Sequence, residues 1–240
     1  SAVTADGAPV NLGAAAQVEG TTPPNFGRPP EPTSEPSTNA LFALAEAQVP
    51  SADPLTRPSE FESVLSPFVA QAFATGIGRS NAGIGPMAVL ELAEGDVLVS
   101  GGPNRGSLWR FDREGGTASA ETLLVTLDEP IFSLAQDAEG RLWATTGGGA
   151  LLELDPDTGA VLGRHGEGVT MGLAVEAETG LIYVGAASGV RVFDPEAETF
   201  AQWSRDENLR VGSLAFDNHG ALWATTWPDR AQVVRFTERQ

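Results

Sequence analysis

General acid–base chemistry draws most often on histidine, and cysteine is the strongest side-chain nucleophile. The chain has two histidines, His165 and His219, and no cysteine. His165 lies in Gly163-Arg164-His165-Gly166-Glu167, whose flanking glycines read as a connecting loop. With Arg164 beside it, it is a candidate contact for a ligand or partner. His219 falls in Asp217-Asn218-His219-Gly220, an exposed turn. A second candidate group is Trp227, Asp229 and Arg230, within Trp227-Pro228-Asp229-Arg230. An aromatic ring beside charges on a loop suits partner contact. Nothing completes a catalytic set, because no Ser-His-Asp arrangement stands out. Gly147-Gly148-Gly149 lacks the lysine and the helix that a phosphate loop needs, and reads as a turn. Acidic turns such as Asp155-Pro156-Asp157 each bring too few oxygens to hold calcium. Without cysteine there is no disulfide framework and no thiolate metal site. No catalytic residue, metal site or cofactor is assigned from the residues.

The charge narrows the partners. The 240 residues carry 32 acidic side chains against 14 basic ones, a formal net charge of −18, and every basic residue is Arg. Such a field repels phosphate backbones and anionic lipid surfaces, so neither nucleic acid nor membrane insertion is expected. No apolar run of about 18 residues offers a spanning helix. The chain begins at Ser1, which fits a mature product after removal of an export signal or a piece of a longer protein.

These residues are carried by two kinds of sequence. Residues 1–58 form a polar arm rich in proline, with segments such as Pro29-Pro30-Glu31-Pro32 that exclude helix and central strand. Within it, Thr38-Asn39 caps a short predicted helix near 39–48. Residues 59–86 make a lead-in: Ser59 and Glu62 have capping-box spacing ahead of Pro67, and Phe68–Thr75 is β-prone.

Residues 87–240 repeat. Each unit is a short apolar strand, an acidic turn ending in Gly95, Gly140, Gly180 or Gly220, and a second strand; those glycines are 45, 40 and 40 residues apart. A third strand follows, such as Val190-Arg191-Val192-Phe193, and then a more polar fourth, such as Phe200-Ala201-Gln202-Trp203. Four antiparallel strands in about 40 residues is the period of a β-propeller blade. The fold class is therefore all-β, a propeller of about four blades with an extended N-terminal arm. Blades are expected at about 87–130, 131–168 and 169–210, with a fourth from about 211 that stops after its third strand. Either Phe68–Thr75 supplies the missing outer strand of a four-bladed ring, or the blades belong to a larger ring; the abrupt ending favours the larger ring. Trp143 and Trp223 occupy equivalent second-strand positions, matched by Tyr183, and a repeated aromatic is expected to pack between blades.

Ile131–Gly149, with Asp137, Gly140, Leu142-Trp143 and Thr145, resembles the regulator-propeller repeat of bacterial sensor ectodomains, and Asp217–Thr225 looks like the same repeat. The stretch 68–240 is also similar to NHL-type and gluconolactonase-type propellers. Enzymatic members of that group hold a divalent metal near the central channel, often through an Asp just before the inner strand; here those positions are Met171 and Gly212, which offer no oxygen side chain. Lyase-type relatives need a catalytic histidine, for which His165 is the better placed of the two. The expectation is a non-catalytic, extracytoplasmic scaffold (periplasmic or secreted) that binds a protein partner or another subunit of its assembly. The alternative is a metal-dependent hydrolase or lyase whose site lies in blades outside this chain.

Overall fold

The computed structural model describes residues 40–48, 59–61, 68, 70–205, 210–227 and 232–236. The chain divides into two compact units, Ser1–Gln71 and Ala72–Gln240. In the first, helix α1 spans Ala40–Gln48, a run of strong helix formers. The Phe61 amide donates to Ser59 Oγ at 2.9 Å. The proline-rich segments on either side of α1, and the stretch from Glu62 to Pro67, lie outside the described residues.

The second unit is a four-bladed propeller. A short strand β1 (Ala74–Thr75) precedes the first blade, which holds β2 (Val89–Glu91), β3 (Val97–Gly101), β4 (Ser107–Phe111) and β6 (Leu123–Thr126), with β5 (Gly116–Thr117) between the last two. The second blade is β7 (Ser133–Gln136), β8 (Leu142–Thr145), β9 (Leu151–Leu154) and β10 (Val161–His165). The third is β11 (Val169–Val175), β12 (Ile182–Ala186), β13 (Gly189–Asp194) and β14 (Thr199–Arg205). The fourth, among the described residues, has three strands: β15 (Arg210–Phe216), β16 (Leu222–Trp227) and β17 (Val233–Arg235). Within each blade, neighbours pair antiparallel in chain order. The turn glycines sit at φ of 97°, 85°, 72° and 80°, a region that side chains rarely enter, which is why glycine recurs there.

Strand alternation sends successive side chains to opposite faces of each sheet, and counting from the turn glycine states the rule. The second residue after it faces the preceding blade, as Leu142, Ile182 and Leu222 do. The third faces the following one: Leu98 packs with Leu134 and Leu152, Trp143 with Ile182 and Phe193, and Tyr183 with Val211 and Leu222. The fifth carries a hydroxyl in three blades, and twice it ties one blade to the next. Ser100 Oγ donates to the Ile131 carbonyl at 3.1 Å, and Thr145 Oγ1 to the Met171 carbonyl at 3.0 Å.

Within the β-prone stretch, Ala74–Thr75 pairs parallel with β5 through Ala74↔Gly116 and Thr75↔Thr117. The reason is apolar cover: Phe73, Ala74 and Ile77 pack on Val99, Trp109 and Phe111, the outward side of the first sheet.

Candidate functional site

Of the residues singled out from the sequence, Arg164, His165, His219 and Trp227 fall among the described residues. His165 ends the outermost strand β10 rather than sitting in a loop. Its ring stacks on Phe193 at 4.7 Å and lies 5.9 Å from Trp143, between the second and third blades. Its Nε2 is buried without a hydrogen-bond partner, 3.9 Å from Glu153 Oε2. Arg164, its neighbour, faces the other way and clamps Glu129 with both terminal nitrogens, the second at 3.2 Å. The guanidinium holds the Glu129 carboxyl below its ordinary range. Trp227 is the last residue of β16, in register with Arg210, and Asp229 and Arg230 lie outside the described residues. His219 is exposed in its turn, where its amide donates to Asp217 Oδ1.

What the four blades do bring together is the wall of a central cavity. Their inner strands and the residues just before them enclose about 610 Å³, lined chiefly by Ala88, Val89, Leu134 and Leu214 with Ser133 and Thr225. The inner strands β11 and β15 lose regular register between Val169 and Leu173 and between Val211 and Leu214. These irregularities carry Met171 and Gly212 into the lining, so the positions compared above with metal ligands do reach the channel, but with a thioether and a hydrogen. Hard divalent cations want oxygen donors. The side-chain donors of this wall are hydroxyls, with no carboxylate or imidazole among the residues that line it. Among the described residues no cluster of three His, Asp or Glu could hold a metal ion.

An adjoining cavity of about 480 Å³ shares Met87, Phe132 and Met171 with the channel and adds Ile84, Arg105, Arg210 and Val211. Neither arginine stands out in the sequence, because each lies between elements whose repeat pattern is irregular there: Arg105 in the β3–β4 loop, Arg210 at the start of β15.

One structural tie was legible in outline as the repeated Asp and Trp. Asp137 is buried in the β7–β8 turn and accepts from Trp143 Nε1 at 2.9 Å, from Arg141 Nε at 2.7 Å and from the Glu139 and Arg141 amides. Asp217 does the same in the fourth blade, taking Trp223 Nε1 at 2.9 Å and the Ala221 and His219 amides. These donors, the Trp223 indole foremost, lower the Asp217 carboxyl to about 2.

Residues 127–148 match the family described as the two component regulator propeller. The regulator-propeller stretch covers β7, its turn and β8, so the Asp137–Trp143 tie lies inside it. No curated protein matches the chain. Among solved structures, the chain is similar to the WD40 β-propeller domain of Doa1, at 16% identity over 63% of this chain and 50% of that one, with a TM-score of 0.50. It is also similar to virginiamycin B lyase from Staphylococcus aureus, at 13% identity over 64% of this chain and 55% of that one, TM-score 0.46. A third is the extracellular domain of a putative hybrid two component system from B. thetaiotaomicron, at 13% identity, 68% and 24% coverage, TM-score 0.45. At these identities the likeness shows the propeller fold alone. The chain spans about half the length of the Doa1 and lyase chains and a quarter of the sensor chain.

Proposed function

We propose that this chain is a non-catalytic, extracytoplasmic binding propeller that assembles with a protein partner through the outward face of its fourth sheet. Trp223 carries the reading. It is the third residue after Gly220, the position that in the other three blades is Leu98, Trp143 and Tyr183, exposed by 0%, 1% and 7%; Trp223 is 37% exposed. Thr225, the hydroxyl position of the same face, is exposed, and Val233 beside it is 68% exposed. A face whose equivalents are all interior, and which here meets solvent, fits a partner that offers an apolar sheet surface. The donor chemistry of the channel wall supports the non-catalytic part, since an enzyme of the hydrolase or lyase type would need carboxylates or imidazoles there. The extracytoplasmic part rests on the regulator-propeller match, a repeat that resembles those of sensor ectodomains, and on a charge that favours no nucleic-acid or lipid contact.

The test is a photo-crosslinking residue placed at Thr225 in the native host. One defined protein adduct, lost in Trp223→Glu, is expected. Stoichiometric divalent metal in the channel of protein prepared without chelator would overturn the reading.

A further inference from the structure

We propose that the cavity formed by Met87, Phe132, Met171, Arg105 and Arg210 is a binding site for a small monocarboxylate with an apolar body. The chain is strongly acidic, and four of its described arginines find carboxylates: Arg110 with Asp96, Arg141 with Asp137, Arg164 with Glu129 and Arg235 with Asp217. Arg105 and Arg210 make no ion pair among the described residues, and both line this one cavity. Two unneutralised guanidiniums beside apolar side chains, in a molecule with more than twice as many acids as bases, are placed for an anion that arrives from outside.

Arg105 is held there against the preference of its own backbone. It has φ of 62°, in the left-handed region that favours glycine. The loop is fixed by two hydrogen bonds: the Arg105 amide donates to the Gly102 carbonyl at 3.0 Å, and its carbonyl accepts from the Ile131 amide at 2.8 Å. Its guanidinium lies 4.9 Å over the Phe132 ring, which keeps the charge against the apolar floor. Arg210 stands at the first position of β15, next to Val211 in the same lining.

The ligand class follows from the balance of the lining. A volume of about 480 Å³ suits a small organic molecule. Met87, Met171, Phe132, Ile84 and Val211 supply a mainly apolar surface, so the ligand needs an apolar body. The two guanidiniums match one carboxylate, and the net charge of −18 opposes a polyanion such as a nucleotide or an inositol phosphate. The site uses none of the residues of the fourth-sheet face, so it adds a ligand to the scaffold reading without depending on it.

Met87 and Met171 are the only methionines in the chain, and both line the cavity. Methyl-13C methionine labelling of the full chain therefore gives two reporters, both at the site. Titration with 3-phenylpropanoate should shift both signals to saturation. 3-Phenylpropanamide should bind at least tenfold more weakly. Arg105→Gln and Arg210→Gln should each weaken the acid at least fivefold and leave the amide unchanged, while Arg105→Lys with Arg210→Lys keeps most of the acid's affinity. Arg79→Gln, an exposed arginine outside the cavity, should change nothing. Retention of the two dispersed methyl signals shows that each variant is folded. Equal affinity for acid and amide, wild-type acid affinity in the double glutamine variant, or no saturable shift with either probe overturns the proposal. None of those results alters the Thr225 crosslink, so failure of this site and failure of the scaffold reading are separately visible.

Discussion

Among the described residues, the first and fourth blades each have a face that no neighbouring blade covers, and they treat it differently. At the first, Phe73, Ala74 and Ile77 lie over Val99, Trp109 and Phe111, with Phe73 edge-on to Phe111 at 6.1 Å. The lead-in is stitched down by Gly116 donating to the Phe73 carbonyl and Ala118 to the Thr75 carbonyl. At the fourth, the Arg235 guanidinium lies 5.4 Å above the Trp223 ring, whose Nε1 donates to Asp217 of the same blade, and Val233 stands open. The ionic ties follow the same pattern. Arg110 reaches Asp157 of the second blade and Arg141 reaches Glu196 of the third, whereas Arg235 of the fourth turns back to its own blade's Asp217. Among the described residues, one flank is thus finished by the lead-in and the other presents a surface built to the interior pattern. The repeat encodes a face for a successor at every blade, including the one for which the described residues supply none.

The comparison is tested most strongly at the equivalent tryptophans. Trp143→Ala should cost about 3–5 kcal/mol, because a fully buried ring leaves a cavity, while Trp223→Ala should cost about 1–2 kcal/mol. Urea midpoints at constant m-value measure both; equal losses would show that the fourth face is as covered as the second. Next come the aspartates that hold those rings. Asp137→Ala strands Trp143 Nε1 in a buried setting, takes from Arg141 one of its three carboxylate partners and should cost about 2–4 kcal/mol. Asp217→Ala should cost less. It should also change the acid limb of the stability curve. Asp217 has a depressed folded pKa, so its contribution is complete above the ordinary carboxylate value of 3.8 and is lost as the pH falls toward about 2. Melting temperatures followed over that interval should flatten in the variant. Phe73→Ala should cost about 1–2 kcal/mol by uncovering Phe111 and Trp109, with a red shift in tryptophan emission as the first face becomes like the fourth. Smallest is the interblade hydroxyl: Thr145→Val should cost about 1 kcal/mol for the lost bond to Met171, and Thr225→Val about 0.5 kcal/mol, because the Ser213 amide that it frees is exposed to water.

Much of this was readable in the residues. The turn glycines announce the hairpins because positive φ excludes other side chains, and the strand alternation around them identifies which residues are interior. The tryptophans show the limit of that logic. Repetition at Trp143 and Trp223 correctly points to the interblade position, but whether the position is buried depends on what stands beyond it, which no spacing within the blade records. His165 was harder. Outer strands are half exposed and polar, so Val161–His165 lacks the apolar alternation of an inner strand, and the flanking Gly163 and Gly166 look like loop. Phe68–Thr75 was legible as β-prone but not as to partner, since a two-residue parallel pairing with Gly116–Thr117 is set by tertiary cover rather than by local pattern. Arg105 and Arg210 carry no signature at all; the cavity that they share distinguishes them.

The bond from Asp137 to Trp143 joins residues six apart, as does that from Asp217 to Trp223. Loops this short close in about 10–100 ns, far faster than sheets assemble from distant strands. The first and third blades have no such aspartate–indole tie among their described residues. Refolding should therefore start at two separate hairpins, and the blades between and before them should order afterwards on these templates. Pulse-labelled hydrogen exchange would show it as early protection of Ala144 and Ala224 amides ahead of those of Leu98 and Val184; simultaneous protection would point to one cooperative event instead.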